Sequence, residues 1–204
     1  SAIQLSARLL EKRGDDDAQK IGERIARSAK WMGRMIEDLL DLTRARLGQG
    51  IPISPAHVDL KPVVQSVVQE RLVLHPDSHV EVVDDGALEG SWDADRLVQV
   101  VSNLVGNALR HGTGKTVTVK LDGRHKDRVR LSVMNEGNIP AELLPSLFDP
   151  FTRVQRQNSR TEGLGLGLYI VQQIVQSHGG SIEVTSEPGQ LTCFHVSLPR
   201  GTSA

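Results

Sequence analysis

The sequence predicts an α+β protein, an α/β two-layer sandwich preceded by an antiparallel helical hairpin. Three observations carry that expectation. A long helical pattern over residues 18 to 47 bears an apolar stripe wider than one short neighbouring helix can cover. A glycine- and proline-rich break at residues 48 to 55 (GQGIPISP) then ends that pattern. Beyond it, helical stretches are interspersed with paired period-two stretches, which suits helices layered on one face of a mostly antiparallel sheet.

Taken in order, residues 2 to 12 place Ile3, Leu5, Leu9 and Leu10 at helical spacing, and Gly14 stops them. Asp15, Asp16 and Asp17 suit the start of a second helix, where the dipole favours negative charge. That helix carries Ile21, Ile25, Ser28, Met32, Met35, Leu39 and Leu42 in alternating four- and three-residue steps, a heptad-type seam. Ala29, Ile36, Leu40, Thr43 and Leu47 widen it. A helix is expected over residues 58 to 74, with Pro62 tolerated in its first turn. A short strand is expected over residues 80 to 83, and a strand or loop over residues 88 to 92. Asp93 reads as the N-cap of a helix reaching His111. Gly112 and Gly114 end it. Residues 116 to 121 and 128 to 134 alternate as an antiparallel pair turning near Lys126-Asp127. A short helical turn over residues 142 to 147, a polar loop and a helix over residues 165 to 177 follow. Residues 181 to 185 and 193 to 198 form a second antiparallel pair, joined across Glu187-Pro188-Gly189.

The bulk numbers exclude several classes. Lys plus Arg total 24 against 25 Asp plus Glu, a net charge of −1, so no general attraction to nucleic acid or anionic membrane is expected. Cys193 is the only cysteine, which rules out an intramolecular disulfide and a cysteine zinc cluster. No apolar run reaches bilayer length and no signal-peptide pattern opens the chain, so a cytoplasmic location without membrane contact is expected. The chain starts at Ser1 within a helical pattern, as a fragment of a longer protein would, and attachment of that longer protein to a membrane is left open.

The helix from Asp93 to His111 carries an unusual polar row. Gln99, Asn103, Asn107 and Arg110 fall at spacings of four, four and three and share one side of the helix. Amides are costly to bury without partners, so the row reads either as caps for neighbouring loops or as groups facing a ligand. Three more stretches bear on the choice. Asn135-Glu136-Gly137-Asn138-Ile139-Pro140 ends a strand, and its Asn-x-Gly step lets backbone approach a flat ligand while the amide reads the ligand's edge. Gly163-Leu164-Gly165-Leu166-Gly167-Leu168 leads into a helix and presents N–H groups suited to phosphate. It lacks the strand and spacing of a dinucleotide fingerprint and the Gly-Lys-Ser/Thr ending of a P-loop. The loop over residues 152 to 162, with Arg153, Arg156 and Arg160, reads as a solvated loop or as a cover over an anion.

The order Asn103…Asn107, Asn135-x-Gly137, Leu147-Phe148-Asp149-Pro150-Phe151, Gly163-x-Gly165-x-Gly167 resembles the catalytic domain of sensor histidine kinases. That domain carries the Bergerat ATP-binding fold shared with type II topoisomerases, Hsp90 and mismatch-repair ATPases. The resemblance spans nearly all of residues 58 to 199. The preceding hairpin resembles the dimerisation and histidine-phosphotransfer domain, on the run from Asp38 to Arg44 (DLLDLTR). It implies two domains, 1–50 and 51–204, with ATP and Mg²⁺ as ligands.

Residue by residue, the resemblance implies that Asn107 binds Mg²⁺ with Asn103 alongside, and that Arg110 and His111 contact phosphate or ribose. Asn135 would take the adenine amino group, Gly137 would let the base lie against the backbone, and Ile139 would belong to the ATP site. Phe148 and Phe151 form the F box. Gly163, Leu164, Gly165, Leu166, Gly167 and Leu168 would wrap the phosphates, Arg153 belongs to the lid, and Thr192 completes the site. It also implies homodimerisation through the hairpin and a response-regulator receiver domain as partner.

The sequence departs from the pattern in several places: no second glycine follows shortly after Gly137, Gly189-Gln190-Leu191-Thr192 replaces a usual Gly-x-Gly-Thr, and two further departures bear on function. Asn135 stands where most members carry Asp, which removes charge assistance worth roughly 1 kcal/mol or about fivefold in affinity and relaxes base selectivity. The phosphoacceptor histidine is absent; the expected motif lies upstream of Ser1, so these residues are expected to bind ATP without phosphorylating themselves. Two other readings share the motifs: a Bergerat-fold ATPase, and a degenerate dimerisation module. The first needs a Glu base where Asn103 stands, and an amide cannot take a proton from water.

Overall fold

The computed structural model describes residues 16–48, 50–114, 116–152, 164–187 and 189–201. The expected first helix, Lys115, Pro188 and the arginine-bearing loop through Gly163 lie outside them. Contacts divide the chain into two units, Ser1–Thr43 and Arg44–Ala204.

Helix α1 spans Asp16–Arg46, two residues earlier than the apolar pattern begins, because the aspartates continue into its first turn. Much of its apolar stripe is uncovered: Ile21 is 52% exposed, Ile36 60% and Leu40 53%, with Trp31, Met32 and Leu39 also exposed. The helix is followed by Gly48 and Gly50, both at positive φ. No helix among the described residues is long and apolar enough to cross a membrane.

The larger unit is two-layered. Strand β1 (Ala56–Asp59) and helix α2 (Leu60–Leu74) share Asp59, whose side chain accepts from the Lys61 N–H as the N-cap. The predicted helix start at residue 58 is thus a strand. β1 is four residues long with Val58 alone buried, so it carries no period-two signal. It pairs with β3 (Glu89–Trp92) in a separate antiparallel ribbon. The main sheet has the order β2-β4-β5-β7-β6, comprising β2 (His79–Gly86), β4 (Thr116–Gly123), β5 (Arg128–Glu136), β6 (Ser181–Thr185) and β7 (Leu191–Pro199). The two predicted hairpins form, while β2 is twice its predicted length and joins β4 in parallel. Helix α3 (Ala94–His111) lies on the connection between β2 and β4, as a parallel pair requires.

One sheet face is apolar. Val117, Val119 and Leu121 on β4, Val129, Leu131 and Val133 on β5, and Phe194, Val196 and Leu198 on β7 are buried. Helices α2, α3 and α4 (Gly167–Ser177) cover it. On α3, Leu97, Val100, Val101, Leu104, Val105 and Ala108 are buried and form the inward face. Arg71 of α2 ties the two helices by donating to the Ser102 carbonyl at 3.0 Å and to the Ser102 hydroxyl.

The ends of α3 and α4 are joined by a buried imidazole. His178, the C-cap of α4, is 1% exposed. The Asp93 N–H donates to its Nε2 at 3.0 Å, so the proton sits on Nδ1, which donates to the Ile174 carbonyl at 2.8 Å. Asp93 in turn caps α3, accepting from the Arg96 N–H at 3.1 Å and the Ser54 N–H at 2.8 Å. The Ile51 N–H donates to Ser177 Oγ at 3.2 Å, so the segment after α1 is fastened to the same end of the layer.

Burial of the Asp93 carboxyl raises its pKa, but the Ser54 and Arg96 N–H bonds overcome this and hold it below the ordinary 3.8. The folded state therefore binds fewer protons there, and the stability gained is present above about pH 4 and fades as pH falls through the folded value. Asp93→Asn should lower the melting temperature at pH 7 by a few degrees, for a loss of about 1 kcal/mol. The gap to wild type should close below pH 4 in a pH series of thermal melts.

Candidate functional site

The predicted site residues among those described collect where the C-terminal half of α3, the end of β5 and the N-terminus of α4 meet. Two groups of contacts build it.

At the β5 end, Asn135 is 6% exposed, and its Nδ2 donates to the Glu136 carbonyl at 2.8 Å. That carbonyl also accepts from the Thr113 N–H at 3.0 Å, which ties the end of β5 to the segment leaving α3. With the donor end of the amide fixed, Oδ1 is left as an acceptor, and it is not sealed in the core because no buried side-chain polar atom among the described residues lacks a partner. Gly112 packs against this amide: a Cβ there would stand 3.6 Å from Asn135 Nδ2 and 2.6 Å from the Ala108 carbonyl. Gly137 has φ +111, a backbone that L side chains rarely adopt. Its carbonyl accepts from Thr192 Oγ1 at 2.8 Å, and the Ile139 N–H donates to Ser186 Oγ at 2.8 Å.

At the α4 end, the glycine stretch and the F box pack backbone to backbone. Gly165 has φ +72, and a Cβ there would approach the Thr152 carbonyl to 2.7 Å. Its own carbonyl accepts from the Phe151 N–H at 2.9 Å. Phe151 is the one non-glycine residue at positive φ among those described, at +69. Phe148 is half-buried, Leu166 is buried, and Leu164 and Leu168 are half-buried. The N-cap of α4 is Leu166, which offers no side-chain acceptor to the first-turn N–H groups. They are open to an anion in the way helix N-termini bind phosphate. Asn103 faces this turn: a Cβ at Gly167 would lie 3.3 Å from Asn103 Oδ1.

Asn107 is half-buried, and its Oδ1, the atom a hard cation would choose, accepts from Arg110 Nη2 at 2.8 Å. The polar row of α3 is therefore divided. Asn103 and Asn107 border the site with Arg110, while Gln99 Oε1 accepts from Arg96 Nη1 at 3.0 Å and serves the helix itself. His111 contributes its carbonyl near Gly137. Arg153 and Gly163 lie outside the described residues. Sequence reasoning missed Gly112, Thr113 and Ser186, the last lying just before the expected connection Glu187-Pro188-Gly189.

These residues fit a magnesium nucleotide: an open amide acceptor, backbone cleared of side chains at Gly112 and Gly137, an uncapped helix start, and amide oxygens suited to Mg²⁺. Two other places are spent. A cleft at the opposite end of the sheet is lined by Arg124, His125, Lys126 and Arg200 among others. Arg200 gives its guanidinium to the carbonyls of Ala87, Glu89, Gly123 and His125, and Arg124 is held by Asp122 and Asp85. On the outer sheet face, burial pushes the Cys193 thiol up to about 11, so it stays protonated at neutral pH and is a poor nucleophile.

A family described as histidine kinase-, DNA gyrase B- and HSP90-like ATPase matches residues 92–202, and the His Kinase A (phospho-acceptor) domain matches residues 1–48. The chain is 36% identical to a bacteriophytochrome of Pseudomonas aeruginosa over 201 residues, 97% of this chain and 27% of that protein. It is 38% identical to the sensor histidine kinase TrcS of Mycobacterium tuberculosis over 183 residues, 86% of this chain and 35% of that protein. It thus spans about a quarter to a third of the length of these curated relatives. The solved structure of full-length ShkA in complex with AMPPNP superposes with a TM-score of 0.74 at 26% identity, covering 99% of this chain and 43% of that one.

Gly165→Ala tests the packing on which the α4 end depends. Left-handed strain of about 1–2 kcal/mol plus the clash with Thr152 should move the F-box segment. The expected result is at least tenfold weaker nucleotide binding in a fluorescence titration, with the circular dichroism of the sheet and helices retained.

Proposed function

The chain belongs to the histidine kinase-, DNA gyrase B- and HSP90-like ATPase family as a sensor histidine kinase segment, and on that premise we propose that it is the ATP-binding catalytic core of such a kinase. The observation that carries the reading is the convergence of Asn135 Oδ1, the Asn103–Asn107 edge of α3 and the uncapped start of α4 on one site. Residues 51–204 form the catalytic domain and residues 1–50 the phosphotransfer hairpin, with the uncovered stripe of α1 serving homodimerisation.

Bound Mg·ATP supplies a γ-phosphoryl whose transfer needs positioning and charge neutralisation more than covalent help. Asn135 accepts a hydrogen bond from the base's exocyclic amine through Oδ1. One of the two Nδ2 protons is committed to the Glu136 carbonyl, which orients the amide and leaves Oδ1 as the acceptor for the adenine amine. Asn107 Oδ1 would hold Mg²⁺, which would neutralise phosphate charge there, and the Arg110 guanidinium beside it would meet phosphate. The first-turn N–H groups of α4 hold the phosphate chain. Asn103, an amide, cannot deprotonate water, which supports transfer over hydrolysis.

The acceptor is a histidine outside residues 1–204, since the seven histidines here all lie at position 57 or beyond. The phosphoryl group passes from it to a response-regulator aspartate. The ligand seen with ShkA, AMPPNP, supports the nucleotide assignment.

Isothermal titration should detect Mg·ATP binding at micromolar to millimolar concentration. Asn107→Ala should remove its Mg²⁺ dependence, with a loss of at least tenfold. Labelled ATP should leave no acid-labile mark on residues 1–204 alone. Absence of binding at millimolar Mg·ATP contradicts the reading.

A further inference from the structure

The base-proximal loop is held by a directional chain of hydroxyls that the sequence motifs do not contain. Thr192 is 3% exposed and pairs across the sheet with Asn135. Its Oγ1 donates to the Gly137 carbonyl at 2.8 Å, which commits its single proton. The Ile139 N–H donates into Ser186 Oγ at 2.8 Å. The remaining contact, Ser186 Oγ to Thr192 Oγ1 at 2.7 Å, must then use the Ser186 proton. The chain reads Ile139 N–H to Ser186 O–H to Thr192 O–H to Gly137 C=O. It begins and ends on the same three-residue segment, and each hydroxyl accepts once and donates once. Neither has a proton left for a ligand.

We propose that Ser186 and Thr192 form a relay that presets the Asn135–Ile139 segment for the base, which makes Ser186 a positioning residue for base recognition that touches no nucleotide. The inference rests on the nucleotide reading above. Two physical features support it. Hydrogen bonds in such a chain polarise one another, so breaking one weakens the rest. Gly137 at φ +111 is a conformation that glycine permits without enforcing, and the relay supplies two bonds that fix it, one on each side of Asn138. Thr192, assigned to the site by resemblance, acts here through Gly137 and has no proton to donate to a nucleotide.

The test separates the base from the phosphates. Binding of Mg·ATP and of magnesium tripolyphosphate is measured by calorimetry on the wild-type chain, Ser186→Ala, Ser186→Thr, Thr192→Val and the Ser186→Ala/Thr192→Val double variant, with melting temperatures recorded alongside. Ser186→Ala should weaken Mg·ATP about five- to tenfold and leave tripolyphosphate unchanged. Ser186→Thr, which keeps the hydroxyl, should restore ATP affinity. The double variant should lose no more than Thr192→Val alone, because either change cuts the chain. If Ser186→Ala fails to fold, Thr192→Val carries the same base-selective readout. Equal loss for ATP and tripolyphosphate, additive losses in the double variant, or wild-type ATP affinity in Ser186→Ala overturns the inference alone. A wild-type chain that binds no Mg·ATP overturns the nucleotide reading and this inference with it.

Discussion

The layer of helices depends on one buried side chain. His178 accepts from the Asp93 N–H and donates to the Ile174 carbonyl, so it joins the first turn of α3 to the last turn of α4. Both ring nitrogens are satisfied inside the protein, where an unpaired polar atom costs about 1–3 kcal/mol. This contact fixes the two helices antiparallel, and it does so at the end where neither carries a candidate ligand group. Asp93 adds the Ser54 N–H to the same junction, and Ser177 adds the Ile51 N–H. The segment following α1 is therefore attached where the two helices are braced.

The opposite ends of the helices border the candidate site. Along about 27 Å of α3, at 1.5 Å per residue, the side chains change from satisfied to available. Gln99 is engaged by Arg96 within the helix, Asn103 faces the start of α4, and Asn107 is held only by the exposed Arg110. The start of α4 lacks a side-chain cap. Beside it, the loop after β5 is ordered by backbone and hydroxyl bonds that leave Asn135 Oδ1 open. A fixed end and an open end on the same pair of helices form a site whose walls are set before a ligand arrives.

The sequence made the chemistry-bearing helix legible because α3 obeys strong local rules. Its Asp93 cap and its glycine stop each read correctly, as did both antiparallel hairpins and the sandwich class. The β1 strand was not legible, since four residues with one buried side chain carry no periodicity, and its pairing with β3 is a tertiary event. The parallel placement of β2 was equally hidden, because strand direction depends on the path of the intervening helix. Near the candidate site, Asn103, Asn107, Asn135 and the glycine stretch stood out through the resemblance carried by their order along the chain. Ser186 did not, because its role depends on β6 and β7 bringing it within 2.7 Å of Thr192. His178 was unremarkable in sequence for the same reason: its two partners lie on elements 85 and four residues away.

Hydrogen exchange of the wild-type chain with and without Mg·ATP tests the account most directly. Slowed exchange is expected at residues 107–113, 135–139 and 164–170, which border the site. Exchange at residues 51–54, 93–97 and 177–180 should stay the same, because the brace is already formed without ligand. Protection confined to the braced end, or none at residues 135–139 under saturating Mg·ATP, would contradict it.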